Sequence, residues 1–327
     1  MPDWNAAAQG ARAPYADDFD TGEWRKGWQY HACSAREQYY SEHAVIPSSS
    51  SSRRAMLLSQ AGFGASRWLS AIPYSAATCM KPLRMLVALR RRLRWPMPLG
   101  PRRCGGTGCG HDLDALGDHW ASCMRTGRVR RRARPLERTW ARVFREAGGR
   151  VLENVFLRDM GIAGIHAADS RRLEVVATGL PLSRGVPLAV DATMVSALHC
   201  DGSPWTDADS VPGVAIRRAE KNKGVTYPEL VQSETAVLVT LACETSGRWS
   251  SQCAQVIDEL AAARARSAPR HLQLSARLGY ARRWWALLSI AQQDCFAGTL
   301  VDDGVLLLDG HDAHLPEVVD VVMDERC

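Results

Sequence analysis

Two stretches decide how this chain reads: Arg171-Arg172-Leu173-Glu174-Val175-Val176-Ala177, and Val186-Pro187-Leu188-Ala189-Val190-Asp191-Ala192-Thr193. Each contains a short apolar run of strand length, and Gly179 to Gly185 between them supplies turn residues. Glu174 sits early in the first run and Asp191 ends the second. The sixteen residues between the two carboxylates are enough for two antiparallel strands and their turn. Neighbouring strands would bring both carboxylates to one end of a sheet, where two such oxygens can hold Mg²⁺.

Working outward, Val151–Leu157 is a further β-like run, preceded by a helix pattern over 135–147. Leu136, Trp140, Val143, Phe144 and Ala147 form its apolar face, and Gly148-Gly149 stops it. Downstream, the spacing predicts a helix over Val214–Lys223 closed by Gly224, then a strand over Ala236–Leu241. Ala-rich helices follow near 251–266 and 272–293. The order α-β-β-β-α-β-α-α predicts an α/β fold with a small mixed sheet flanked by helices. An earlier helix is expected from Pro82 to Arg94, stopped by Pro96 and Pro98. Four regions are expected: a loosely ordered lead-in over 1–53 ending in Ser48–Ser52, a helical segment over 54–130, the α/β domain over 131–299, and an acidic tail over 300–327.

The composition is that of a globular protein: 327 residues, 46% hydrophobic and 23% charged, with a net charge of +6. No run approaches the roughly 18 apolar residues of a membrane span, and no secretory signal opens the chain. A nuclear or cytoplasmic protein is expected, neither secreted nor membrane-bound. Ten cysteines without a small-scaffold spacing point to free thiols or a metal site. Charge is unevenly placed. Residues 81–150 hold 18 Lys/Arg against five Asp/Glu, a local net of +13, whereas 300–327 carries −7. Such a basic block attracts polyanions. Arg128, Arg130, Arg131, Arg132 and Arg134 are the expected phosphate contacts; DNA is the expected partner, with RNA as the alternative.

Within the basic block, Cys104 and Cys109 are followed by His119 and Cys123 in a Cys-x4-Cys-x9-His-x3-Cys array. Two sulfurs, a Gly-rich turn and a His/Cys pair one helical turn apart could close a tetrahedral structural Zn²⁺ site, with His111 as an alternative ligand. Of the 41 basic residues, 37 are arginine. Two of the four lysines, Lys221 and Lys223, lie together in Glu220-Lys221-Asn222-Lys223. A lysine there could orient water or stabilise developing charge at the proposed metal site. Tyr15-Ala16-Asp17-Asp18 spells a reverse-transcriptase tetrapeptide, but its flanks lack the apolar strands that motif needs, and it reads as coincidence.

Trp68-Leu69-Ser70-Ala71-Ile72-Pro73, Pro96-Met97-Pro98, Cys104, Cys109, Gly117-Asp118-His119, Cys123 and Gly127 together resemble the C-terminal part of non-LTR retrotransposon proteins. These carry a CCHC zinc knuckle followed by a restriction-enzyme-like endonuclease of the PD-(D/E)xK class. Arg171–Val176, Val190-Asp191-Ala192-Thr193 and Thr226-Tyr227-Pro228-Glu229-Leu230 look like the same lineage, so the resemblance spans about residues 66–290. It implies a Mg²⁺- or Mn²⁺-dependent DNA endonuclease. Glu174 would be the first acid (with Leu173 where the motif has proline), Asp191 the second, and Lys223 the lysine, moved from strand to helix. Asp169 is an alternative first acid, Glu137 matches a metal-proximal carboxylate, and Glu244 a further acidic position. The reverse transcriptase that precedes this region in the family is not in the sequence, so a fragment, a degenerate copy or a reused domain is expected. The alternative function is a non-catalytic nucleic-acid-binding remnant that keeps a structural zinc site.

Overall fold

The computed structural model describes residues 28–40, 42–43, 47, 49–97 and 103–301; side chains of 28–30, 128–132 and 184 are outside that set. The tetrapeptide at 15–18 and the acidic tail over 302–327 also lie outside the described residues. The chain divides into two compact units, Met1–Arg54 and Ala55–Cys327. The first contains helix α1 (Trp28–Tyr40), where the sequence shows no apolar periodicity. Helix α2 (Ser51–Gln60) begins inside the Ser-rich stretch.

The second unit is an α/β fold. Helix α3 (Pro82–Leu93) starts at Pro82, whose fixed φ suits a first helical turn, and ends at Arg94 in the left-handed region. Short helix α4 (Asp118–Ser122) follows, then α5 (Arg128–Glu146). The basic run 128–134 forms the first turns of α5, so this helix starts seven residues before Pro135. Pro135 is accommodated inside it.

The sheet has the order β1-β2-β3-β4, with β1 (Arg150–Phe156), β2 (Arg172–Thr178), β3 (Leu188–Val195) and β4 (Val237–Glu244). Pairings β1/β2 and β2/β3 are antiparallel, and β3/β4 is parallel. Helices α6 (Val214–Thr226) and α7 (Pro228–Val231) make the crossover a parallel pair requires. Strand β3 runs five residues past the apolar run Val186–Val190, because its pairing with β4 continues to Val195↔Glu244. Helices α8 (Ser251–Ala265) and α9 (Gln273–Val301) close the chain.

One face of the sheet presents Val175, Ala177, Leu188, Val190, Val239 and Leu241 to a core shared with Trp140, Phe144, Trp249 and Trp284. The other face packs Val176 and Ala189 against Tyr227 and Leu230. Helix α5 is tied to α9 through Glu146, which accepts from Arg283 (2.9 Å), Arg142 (2.9 Å) and Trp284 Nε1 (3.0 Å). The segment before α5 is built onto the same unit: Trp68 packs with Ala88 and Ile290, and Trp120 packs with Phe296 and Leu300.

Candidate functional site

The four expected zinc ligands converge. Cys104 sits where Arg103 bridges Asp112, with its amide bonded to His111 O at 2.8 Å. Gly108 and Gly110, at φ +67° and +65°, carry the chain round Cys109 in conformations that glycine adopts freely. His119 lies on α4 and Cys123 caps it, four residues apart, which places both on one helical face. Asp114 holds the start of this turn by accepting from the amides of Leu116, Asp118 and His119 at 2.8–2.9 Å.

Ligand atoms of Cys104, Cys109, His119 and Cys123 all lie within 4.8 Å of one another, and His111 is not among them. Cys104 and Cys123 sulfurs are 3.9 Å apart, those of Cys109 and Cys123 are 3.8 Å apart, and Cys109 Sγ is 3.5 Å from His119 Nε2. A tetrahedron with Zn–S near 2.3 Å has S···S edges of about 3.8 Å, so the cluster is already of zinc-binding size. His119 Nδ1 meets Cys200 O at 2.6 Å, an outer contact of the kind that would orient this imidazole as a metal ligand through Nε2. Burial pushes the Cys123 thiol up to about 11, whereas a backbone hydrogen bond at His111 draws the Cys109 thiol down. A buried Cys3His cluster of this form can hold a metal such as zinc.

The knuckle is anchored by charge. Asp118 is 5% exposed and receives Arg91 at 2.6 Å and a bidentate Arg94 at 2.8 Å. Burial alone would raise this carboxyl, but the two guanidiniums outweigh burial and hold it at about 2. Neither arginine carries a sequence signal that distinguishes it from the rest of the basic block.

The second cluster lies across β2, β3 and α6. Val175↔Val190 is the last pair of the β2/β3 ladder, and Glu174 and Asp191 are the next residue beyond it on each strand. On the other side Asn154, at φ +55°, leaves the β1 ladder unpaired opposite Glu174 without changing its register. Strict alternation stops there, since Leu173 joins the same core as Val176. Asp191 is fully buried, and Lys223 Nζ donates to its Oδ2 at 2.5 Å. Asp191 Oδ1 and Glu174 Oε2 are buried with no hydrogen-bond partner. Burial, and then the charge of Asp191, push Glu174 up to about 8. Glu137 on α5 is raised by burial, with Asp191 adding to the effect and Arg134 and Lys223 opposing it. Tyr227 closes this side, its hydroxyl donating to Arg172 O at 3.0 Å, and burial together with both carboxylates raises it strongly.

Glu137, Glu174, Asp191 and Lys223 therefore share one electrostatic environment, whereas other expected positions do not. Asp169 is bound to Arg171 at 2.6 Å, which also holds Glu229 at 2.8 Å. Glu244 ends β4, buried, with Arg248 4.0 Å away. Glu220 is raised by burial and sits toward Ser250. Lys221 is exposed. Arg134 is exposed on α5, and the side chains of Arg128, Arg130, Arg131 and Arg132 are outside the described set.

Lys223 pairs with Asp191, and one buried oxygen each of Asp191 and Glu174 lacks a partner. No family model and no curated protein matches the chain. Among the described residues no helix is long and apolar enough to cross a membrane.

Proposed function

We propose that residues 55–301 are a divalent-metal-dependent DNA endonuclease domain of the restriction-enzyme-like kind found in non-LTR retrotransposon proteins, fronted by a structural zinc knuckle. The observation that carries this reading is the Lys223–Asp191 contact beside a half-buried Glu174 that has one buried oxygen left over. Two acids on adjacent strands and a lysine at hydrogen-bond distance form a combination suited to phosphodiester hydrolysis. A structural salt bridge would not need a second carboxylate with an enclosed, unpartnered oxygen next to it.

Glu174 and Asp191 would hold Mg²⁺ or Mn²⁺, and the charge of Asp191 is felt by Glu137 on α5. The ion supplies Lewis-acid stabilisation of a phosphoryl oxygen and acidifies water. Asp191 holds the Lys223 ammonium in place before substrate arrives, so the cation is oriented without reorganisation during the reaction. When phosphate enters, Lys223 can direct an N–H at a non-bridging oxygen or at the attacking water. The basic first turns of α5, with Arg134 at their end, lie on the helix that carries Glu137, and would hold the DNA backbone.

The test is nicking of supercoiled plasmid in Mg²⁺ or Mn²⁺. Cleavage by the wild type, lost on chelation and in Asp191→Ala, supports the reading; cleavage that survives Asp191→Ala sinks it. DNA binding without cleavage under any divalent ion would favour the non-catalytic alternative.

A further inference from the structure

Lys223 borders a second feature. A cavity of about 330 Å³ opens between the zinc knuckle and α6, with Ser122 and Met124 from the knuckle on one wall and Arg218, Asn222 and Lys223 from α6 on another. Its size is at the small end for ligand pockets. The apolar part of its lining is Met194, Leu198, Ala215 and Ala219. Thr193 adds a hydroxyl two residues beyond Asp191, on the same face of β3 and about 6.6 Å along the strand. Three chemistries therefore meet in one small space: aliphatic side chains, amide and hydroxyl groups, and two cations.

Arg218 brings a further element. Its guanidinium lies 3.9 Å over the ring of Trp205, which also lines the cavity, and Trp205 in turn lies 3.5 Å from the His199 ring. Trp205 Nε1 is held by Ser196 O at 3.0 Å. The indole is therefore fixed, and the guanidinium plane is presented by a rigid support. Stacked aromatic and guanidinium planes receive bases of unpaired nucleic acid, and an exposed Asn amide can bond a base edge.

We propose that this cavity receives an unpaired nucleobase next to the scissile phosphodiester, so that DNA with an extrahelical nucleotide is the preferred substrate. The inference rests on the nuclease reading above, because Lys223 is common to the cavity and to the cleavage site. A base held within a duplex cannot reach a pocket walled by the knuckle and α6. It must be flipped or already unpaired, and an unpaired base avoids the cost of unstacking.

The experiment compares two duplexes in Ca²⁺, which keeps cleavage off. One carries a single extrahelical adenosine, and the other an abasic residue at the same place. The expected wild-type preference for the base is about tenfold, toward the low end of what one stacked base contributes. Ala219→Phe fills the cavity and Asn222→Ala, at an exposed helix position, removes the amide; both should bring the ratio toward one. Should Ala219→Phe fail to fold, Asn222→Ala carries the test. A wild-type ratio of one, or a ratio that persists in every folded variant, overturns the proposal. Base preference without cleavage in Mg²⁺ would retain the pocket and remove the nuclease reading. Cleavage without base preference would do the reverse, and absence of any DNA binding would overturn both.

Discussion

Lys223 Nζ and Asp191 Oδ2 are 2.5 Å apart, joining α6 to the middle of the sheet at a carboxylate that has no exposure to solvent. The other oxygen of Asp191 has no partner, so the lysine is the charge that makes this burial tolerable. Lys223→Met should therefore destabilise the metal-free protein by about 2–3 kcal/mol, by leaving a buried carboxylate without its counter-ion. Urea unfolding measures it. Unchanged stability would mean the pair contributes nothing at this position.

Glu174 is expected to behave in the opposite way. Burial and Asp191 hold its carboxyl at about 8, well above its unfolded value near 4.3. Between those two values the unfolded chain releases a proton that the folded chain keeps. Stability is thus lost as pH rises through this window. Glu174→Gln removes the penalty and should raise stability at pH 7 by about 1–2 kcal/mol in the absence of divalent metal. Thermal unfolding of the two proteins at pH 5 and pH 8 checks the sign: the gain should be larger at pH 8. A gain confined to pH 5 would contradict it.

Zinc content tests the knuckle separately. One zinc per chain is expected by elemental analysis, retained in His111→Ala and lost in His119→Ala. Removal should also disturb the segment after β3, because His119 and Ser122 bond the carbonyls of Cys200 and His199. A drop of several kcal/mol in stability on chelation is expected. Zinc retained by His119→Ala but lost from His111→Ala would reassign the fourth ligand.

Acid stability should depend on Glu146. Arg283, burial-opposed, with Arg142 and Trp284 adding to it, holds this carboxyl at about 2. Its contribution is present above about 4.3 and is lost as pH falls toward 2. With a quarter of the side chain exposed, screening limits this to about 1–2 kcal/mol. Glu146→Gln should therefore differ most from wild type at neutral pH and converge with it near pH 2. A difference that stays constant from pH 7 to pH 2 would contradict the assignment.

The sheet and its helices could be read from the sequence because apolar runs and glycine stops record local geometry directly. Pro82 opened its helix as expected, and Gly148-Gly149 ended another. Glycine was less reliable at 224, where α6 runs on to Thr226. The extent of β3 was not legible either, because its last five residues owe their strand state to β4, more than forty residues away. The zinc array was visible as spacing, although the choice of His119 over His111 needed three dimensions. Nothing in the sequence marks the contact of His119 with Cys200, eighty-one residues on, or the stacking of Arg218 on Trp205. Such contacts are set by loop packing and leave no periodic trace.

For the proposed cleavage, Lys223 must act as a directed donor at the carboxylate pair and not merely as positive charge. Single-turnover cleavage of an end-labelled duplex in Mg²⁺, compared between wild type and Lys223→Arg at equal bound DNA, tests it most directly. Arginine keeps the charge but replaces a compact ammonium with a planar fork. The expected result is cleavage by the wild type and a loss of about a hundredfold or more in the variant. Equal rates for the two proteins, or no Mg²⁺-dependent cleavage by the wild type, would contradict the account.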